Sequence, residues 1–247
     1  MPTPADLAKL GVQEFVKRFR QEMVPLSNRF AYFSVVPLAE DDVKEYLEDP
    51  IAALPPVLQT ALSGVCILFV PYLEKPGGGS EVVTFDPPAE TVRALSASFT
   101  SDGDPVLVFA IKDQEVADYH YFFYRAIAGI TTEHFRPEKL AAYYALLREE
   151  LKDHIHGELE EEGWKLKQAL LQRQTDARRD TKLFRSYARQ SLIDTLTLYL
   201  HGICCDIDVE SGPRQLPSRN LRQRLELLHD IFPPPDSYAV FPEELKG

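Results

Sequence analysis

The spacing of apolar residues changes character near the middle of the chain. In the first half they come in short runs. "GVCILFVPYLEKP" (Gly64–Pro76) opens with an apolar stretch of strand length, and "VLVFAIKD" (Val106–Asp113) repeats the pattern, so both predict buried strands. "EVVTFDPP" (Glu81–Pro88) and the aromatic-rich "NRFAYFSVVPL" (Asn28–Leu38) predict two more. Leu7, Leu10, Phe15, Phe19 and Met23 recur at roughly helical spacing. That helix opens at Thr3-Pro4, where threonine can cap and proline fits the first position, and it closes at Pro25. Asp41–Leu47 and Val57–Leu62 predict short helices, the second ended by Gly64, and Glu90–Phe99 predicts another. "KPGGGS" and "SDGDP" are turns.

After Asp113 the strand pattern stops. Glu115–Gly129 predicts one helix, and Pro137–Gln174 a long helical stretch with Gly157 and Gly163 as its breaking points. Asp180–Cys205 predicts a third, and Ser218 is placed to cap a last one running to about His229. "FPPPDSYAVFPEELKG" is an irregular, proline-rich tail. No internal repeat is visible. The expected fold is α+β: a small N-terminal sheet of three or four strands with flanking helices (residues 1–113), then a helical part of three to four helices (114–247), the two sharing one core.

Composition narrows the function classes. The formal net charge of −11 disfavours general nucleic-acid binding and docking on anionic membranes. The longest apolar run, "VCILFVPYL", is too short to span a bilayer. Three cysteines, Cys66, Cys204 and Cys205, show no paired framework, and "MPTPADLAKLG" carries no secretory pattern, so the expected compartment is cytoplasmic. Neighbouring cysteines bridge poorly, which argues against a Cys204–Cys205 disulfide. Phosphate-binding glycine loops and the G-x-S-x-G elbow are absent from the sequence.

Two stripes could hold a divalent transition metal. On one continuous helix, Glu150, His154 and Glu158 share a face, and carboxylates with imidazole suit zinc, manganese or iron. On the next, Asp194, Leu198, His201, Cys205 and Asp208 fall at steps of four, three, four and three. His201 and Cys205 have the spacing of a helical chelate, and Asp194 could orient the imidazole. The bland alternatives are a solvated face for the first stripe and a core-facing one for the second. A basic segment follows, with Arg214, Arg219, Arg222 and Arg224 close together. It could serve an acidic partner or a phosphate, or pair internally with the acidic helix. Internal pairing is the simpler expectation, because mixed charge is the ordinary condition of a surface.

"YHYFFYRAIAGITTEHFRPEKLAAYY" (Tyr119–Tyr144) resembles in outline the helix pair of gluzincin-type zinc peptidases, in which H-E-x-x-H is followed by a proline and a segment like E-G-L-A-E-Y. The resemblance matches His120 to the first ligand histidine and Glu138 to the ligand glutamate. Tyr121 stands where the general-base glutamate belongs and Tyr124 where the second histidine belongs. It therefore implies a scaffold without the residues for zinc-activated water. Read on its own, the segment is an aromatic helix with an apolar face of Tyr119, Phe122, Phe123, Ala126, Ile127 and Ile130. The leading expectation is a non-catalytic, acidic, soluble protein that acts through contacts with another protein. The alternative is a metal-dependent hydrolase, including a degenerate zincin-like scaffold.

Overall fold

The computed structural model describes residues 9–77, 79–134, 137–173, 179–205 and 215–240. Thr3, Pro4, Leu7, Asp208 and Arg214 lie outside the described residues. The fold is α+β, with sheet in the N-terminal half and helices in the C-terminal half. By packing, the chain forms two compact units: Met1–Ala52 with Leu62–Ala126, and Ala53–Ala61 with Ile127–Gly247. Among the described residues no helix is long and apolar enough to cross a membrane.

The strands of the first unit are β1 (Leu10–Gly11), β2 (Val24–Pro25), β3 (Phe30–Ser34), β4 (Val65–Val70), β5 (Tyr72–Glu74), β6 (Val82–Thr84), β7 (Arg93–Ala94), β8 (Ser96–Ser101) and β9 (Asp104–Ala110). They build two sheets where the sequence suggested one. A five-stranded sheet has the order β2-β3-β4-β9-β8, and a four-stranded sheet the order β1-β6-β5-β7. β3, β4 and β9 run parallel at the centre of the larger sheet. Its two faces are both covered, which is why "VCILFV" and "VLVFA" are continuous apolar runs and do not alternate. On one face, Leu68, Val70, Val106 and Val108 pack with Phe15, Val16 and Phe19 of helix α1 (Val12–Phe19). On the other, Phe69 and Phe109 meet the ring of Tyr119 edge-on at 5.4 and 5.1 Å. Tyr119 lies in helix α2 (Val116–His134).

Two expected elements differ. Helix α1 begins only at Val12, because Leu10 and Gly11 pair with Val83 and Val82 as a short strand. The helix expected over Glu90–Phe99 does not form: the span opens with a turn and continues as β7 and the start of β8. Val92, Leu95 and Phe99 mimic helical spacing, but Ala97 and Phe99 also alternate with Ser98 and Thr100. Asp102 (φ 53°) and Gly103 (φ 90°) make a two-residue turn that sets Ser101 opposite Asp104. The hairpin then pairs β8 with β9, and this cross-strand pairing overrides the weak helical pattern.

The second unit carries helices α3 (Ala141–Lys152), α4 (Glu161–Gln172), α5 (Lys182–Cys204) and α6 (Ser218–Ile231). Thr181 caps α5, its hydroxyl accepting from the Phe184 amide at 3.2 Å. The expected run from Pro137 to Gln174 is thus two helices. The break is a C-terminal capping turn. His154 sits at φ 54°, its N–H donates to the Leu151 carbonyl at 3.3 Å, and the Ile155 N–H donates to the Glu150 carbonyl at 2.9 Å. That hydrogen-bond pair is the signature of a left-handed helix stop, here made by histidine where glycine is usual. The chain turns again at Gly157 (φ 81°) before α4 begins.

Candidate functional site

Glu150 and Arg224 are charged residues set in apolar helical stripes. Glu150 shares a face of α3 with Tyr143 and Leu147, and Arg224 shares a face of α6 with Leu221 and Leu228; all of these residues are buried. An ion in such a stripe must meet its counter-ion inside the protein, since unpaired burial costs several kcal/mol. The structure brings them together. The Arg224 Nε–H donates to Glu150 Oε1 at 3.0 Å, and Nη2 donates to Glu150 Oε2. The same guanidinium holds Glu158, Nη1 to Oε2 and Nη2 to Oε1, both at 2.8 Å. Nη1 also donates to Ser191 Oγ at 2.8 Å. One planar fork therefore grips two carboxylates at once, a geometry that lysine could not reproduce.

Lys167 completes the charge balance. Its ammonium lies 3.2 Å from Glu158 Oε1 and donates to the Gly157 carbonyl at 2.8 Å. The Tyr187 hydroxyl donates to Glu158 Oε1 at 2.5 Å. Tyr143 shares hydrogen bonds with Ser191 Oγ at 3.1 Å and Thr195 Oγ1 at 2.8 Å. Two cations face two anions, and the relative exposure of Arg224, Lys167, Glu150 and Glu158 is 0%, 0%, 3% and 2%. The centre takes a residue from each of α3, α4, α5 and α6, plus Glu158 from the connecting turn. Burial alone would raise the Glu158 carboxyl, but the Arg224 charge and hydrogen bonds overcome this and hold it at about 2. Burial pulls the Lys167 ammonium down, with Glu158 opposing. Burial pushes the Tyr143 hydroxyl up to about 12.

A pH dependence follows from Glu158. Its folded pKa is depressed, so its contribution to stability is present above the ordinary carboxylate value of 4.5 and is lost as pH falls toward about 2. Unfolding free energy should drop by roughly 2 kcal/mol between about pH 5 and pH 3 through this group alone. Glu158→Gln should flatten that part of the profile, as measured by urea unfolding at each pH. An unchanged slope in the variant would show that other carboxyls carry the acid sensitivity.

The remaining sequence candidates are placed as follows. His154 is exposed and left-handed at the end of α3, so helical stacking does not carry it between Glu150 and Glu158. Asp194 is buried on α5 and accepts from Gln190 Nε2 at 2.8 Å. His201 is half-buried on the same helix. α5 ends at Cys204, and Cys205 follows as its C-terminal cap with extended backbone (φ −129°, ψ 146°). The Cys205 N–H donates to the His201 carbonyl at 2.8 Å, so the four-residue step from His201 to Cys205 is the last helical one. Arg219 and Arg222 are exposed, with Arg222 paired to Glu226 at 2.9 Å. Lys167, Tyr143, Tyr187 and Ser191 were not singled out in the sequence. For Lys167 a signal existed, since it shares a face of α4 with the buried Gly163 and Leu170.

In the first unit, His120 is buried on α2 and its Nε2 lies 2.9 Å from the Glu45 carbonyl. The Tyr124 hydroxyl donates to the Pro50 carbonyl at 3.2 Å. Glu138 is exposed in the short turn Pro137–Leu140 of the second unit. A pocket of about 290 Å³ opens beyond the carboxyl end of β9, lined by Glu90, Arg93, Leu95, Asp113, Gln114 and Asp118. Crevices at that end of parallel strands commonly take ligands, but their walls are mainly apolar; here only Leu95 is. Searches against protein-family models, curated proteins and solved structures found no match for this chain.

Proposed function

We propose that this chain is a non-catalytic module that acts through contacts with another protein. The Arg224 centre is the observation that best supports this. Every N–H of the guanidinium meets a protein acceptor, the charges cancel, and all four ions are buried. This set of ionisable groups is thereby occupied with holding helices together, and a substrate could reach it only by displacing those bonds. Outside this centre, Arg219 and Arg222 stand exposed on α6 of a chain whose net charge is −11. Exposed arginines, here Arg219 and the Glu226-paired Arg222, suit an acidic protein surface, where rim charges set the approach rate and orientation.

The test is affinity purification of the tagged full chain at low salt, with the retained protein identified and its stoichiometry measured. One defined partner is expected. Its recovery should fall at least about tenfold in the Arg219→Glu, Arg222→Glu double variant, since like-charge juxtaposition costs more than 1 kcal/mol. Equal recovery removes the arginines from the interface. Failure to retain any stoichiometric partner across cell extracts sinks the module reading itself.

A further inference from the structure

Cys204 and Cys205 are not used by the proposed contact surface, and their sulfurs lie within 4.8 Å of one another. Cys204 is the last residue of α5, and Cys205 leaves the helix in extended conformation. This change of direction lets two consecutive side chains, which a continuing helix would splay apart, come together. The Cys204 thiol hydrogen-bonds that of Cys205 and, together with burial, raises the Cys205 thiol above its ordinary range. Both residues are half-buried, and both carry sulfur as thiol.

We propose that Cys204 and Cys205 form a two-sulfur chelate for a soft monovalent cation, with copper(I) as the class it fits. A disulfide needs the sulfurs at about 2.05 Å and a dihedral that adjacent residues reach only with strain. A cation seated between two sulfurs needs them much farther apart, and a spacing within 4.8 Å leaves room for that. Soft thiolates select copper(I) over hard divalent ions, and two thiolates complete its linear coordination, whereas zinc asks for four ligands. The position adds to this. The end of a 23-residue helix carries the negative pole of its dipole, which favours a cation. Binding is a ligand exchange without oxidation: two S–H bonds break, two S–Cu bonds form, and two protons pass to solvent.

The experiment is anaerobic titration of the reduced full-length protein against copper(I) buffered in a coloured chelator. The wild type should withdraw one equivalent. Cys204→Ser and Cys205→Ser should each abolish the transfer, and Cys66→Ser should leave it intact. X-ray absorption of the copper-loaded wild type should show two sulfur neighbours, and this holds the proposal to account even if a serine variant folds poorly. No withdrawal by the wild type, withdrawal that survives both serine changes, or a first shell of nitrogen or oxygen would each overturn it. None of these outcomes bears on the protein-contact reading, which rests on α6.

Discussion

Arg224→Ala should destabilise the helical unit by about 3–5 kcal/mol, because it strands two buried carboxylates without their shared counter-ion. Glu150 and Glu158 are each almost completely buried, so neither can recover its hydration in place. Lys167 touches Glu158, whereas both Glu150 oxygens accept from Arg224, which makes Glu150 the more vulnerable to the loss. Arg224→Lys should recover only part of the stability, since an ammonium cannot present the paired donors that both carboxylates use. Urea unfolding followed by fluorescence of Trp164, the single tryptophan and a residue of α4, reports this unit directly. Adding Glu150→Gln to Arg224→Ala should restore some stability, the non-additive behaviour of directly coupled groups. A cost for Arg224→Ala below about 1 kcal/mol would place the centre among ordinary surface pairs and remove it as the element that joins the helices.

Gly157→Ala should be damaging on a similar scale, about 2–5 kcal/mol, by a different mechanism. Gly157 has φ 81°, where an added Cβ costs about 1–2 kcal/mol. A Cβ there would also run into the Gln215 carbonyl and lie 2.8 Å from the Leu216 amide nitrogen. These are backbone atoms and cannot rotate away, so overpacking adds about 1–3 kcal/mol. The same turn offers the carbonyl that Lys167 grips, so a shift there would loosen the ion centre as well. Gly103→Ala is the control: it also has positive φ, at 90°, but its Cβ would meet nothing within 4 Å. Its cost should be limited to the conformational part. If Gly157→Ala proved no worse than Gly103→Ala, the close approach at Gln215 would not matter to stability.

How far the sequence reached can be traced through single positions. The runs around Ile67 and Leu107 announced buried strands because covering both faces leaves no polar position to interrupt them. α5 and α6 were legible from helical spacing almost to the residue. β8 was not: Asp102-Gly103 was recognised as a turn, but whether the chain before it coils or pairs depends on β9 lying beside it. The stop at His154 escaped notice because any L-residue there pays for left-handed backbone, and only the surrounding hydrogen bonds make it hold.

What the amino-acid order determined by itself was local: which segments are helix or strand, and which ionisable residues share a helical face. Tertiary structure alone decided which of those charges meet. Glu150 and Arg224 are 74 positions apart, and Glu158 reaches the same guanidinium only because the chain doubles back at Gly157. Periodicity carries information over a few turns of one helix. The pairing of ions between helices is set by the cost of burying each of them alone, and that cost is felt only once the helices have packed.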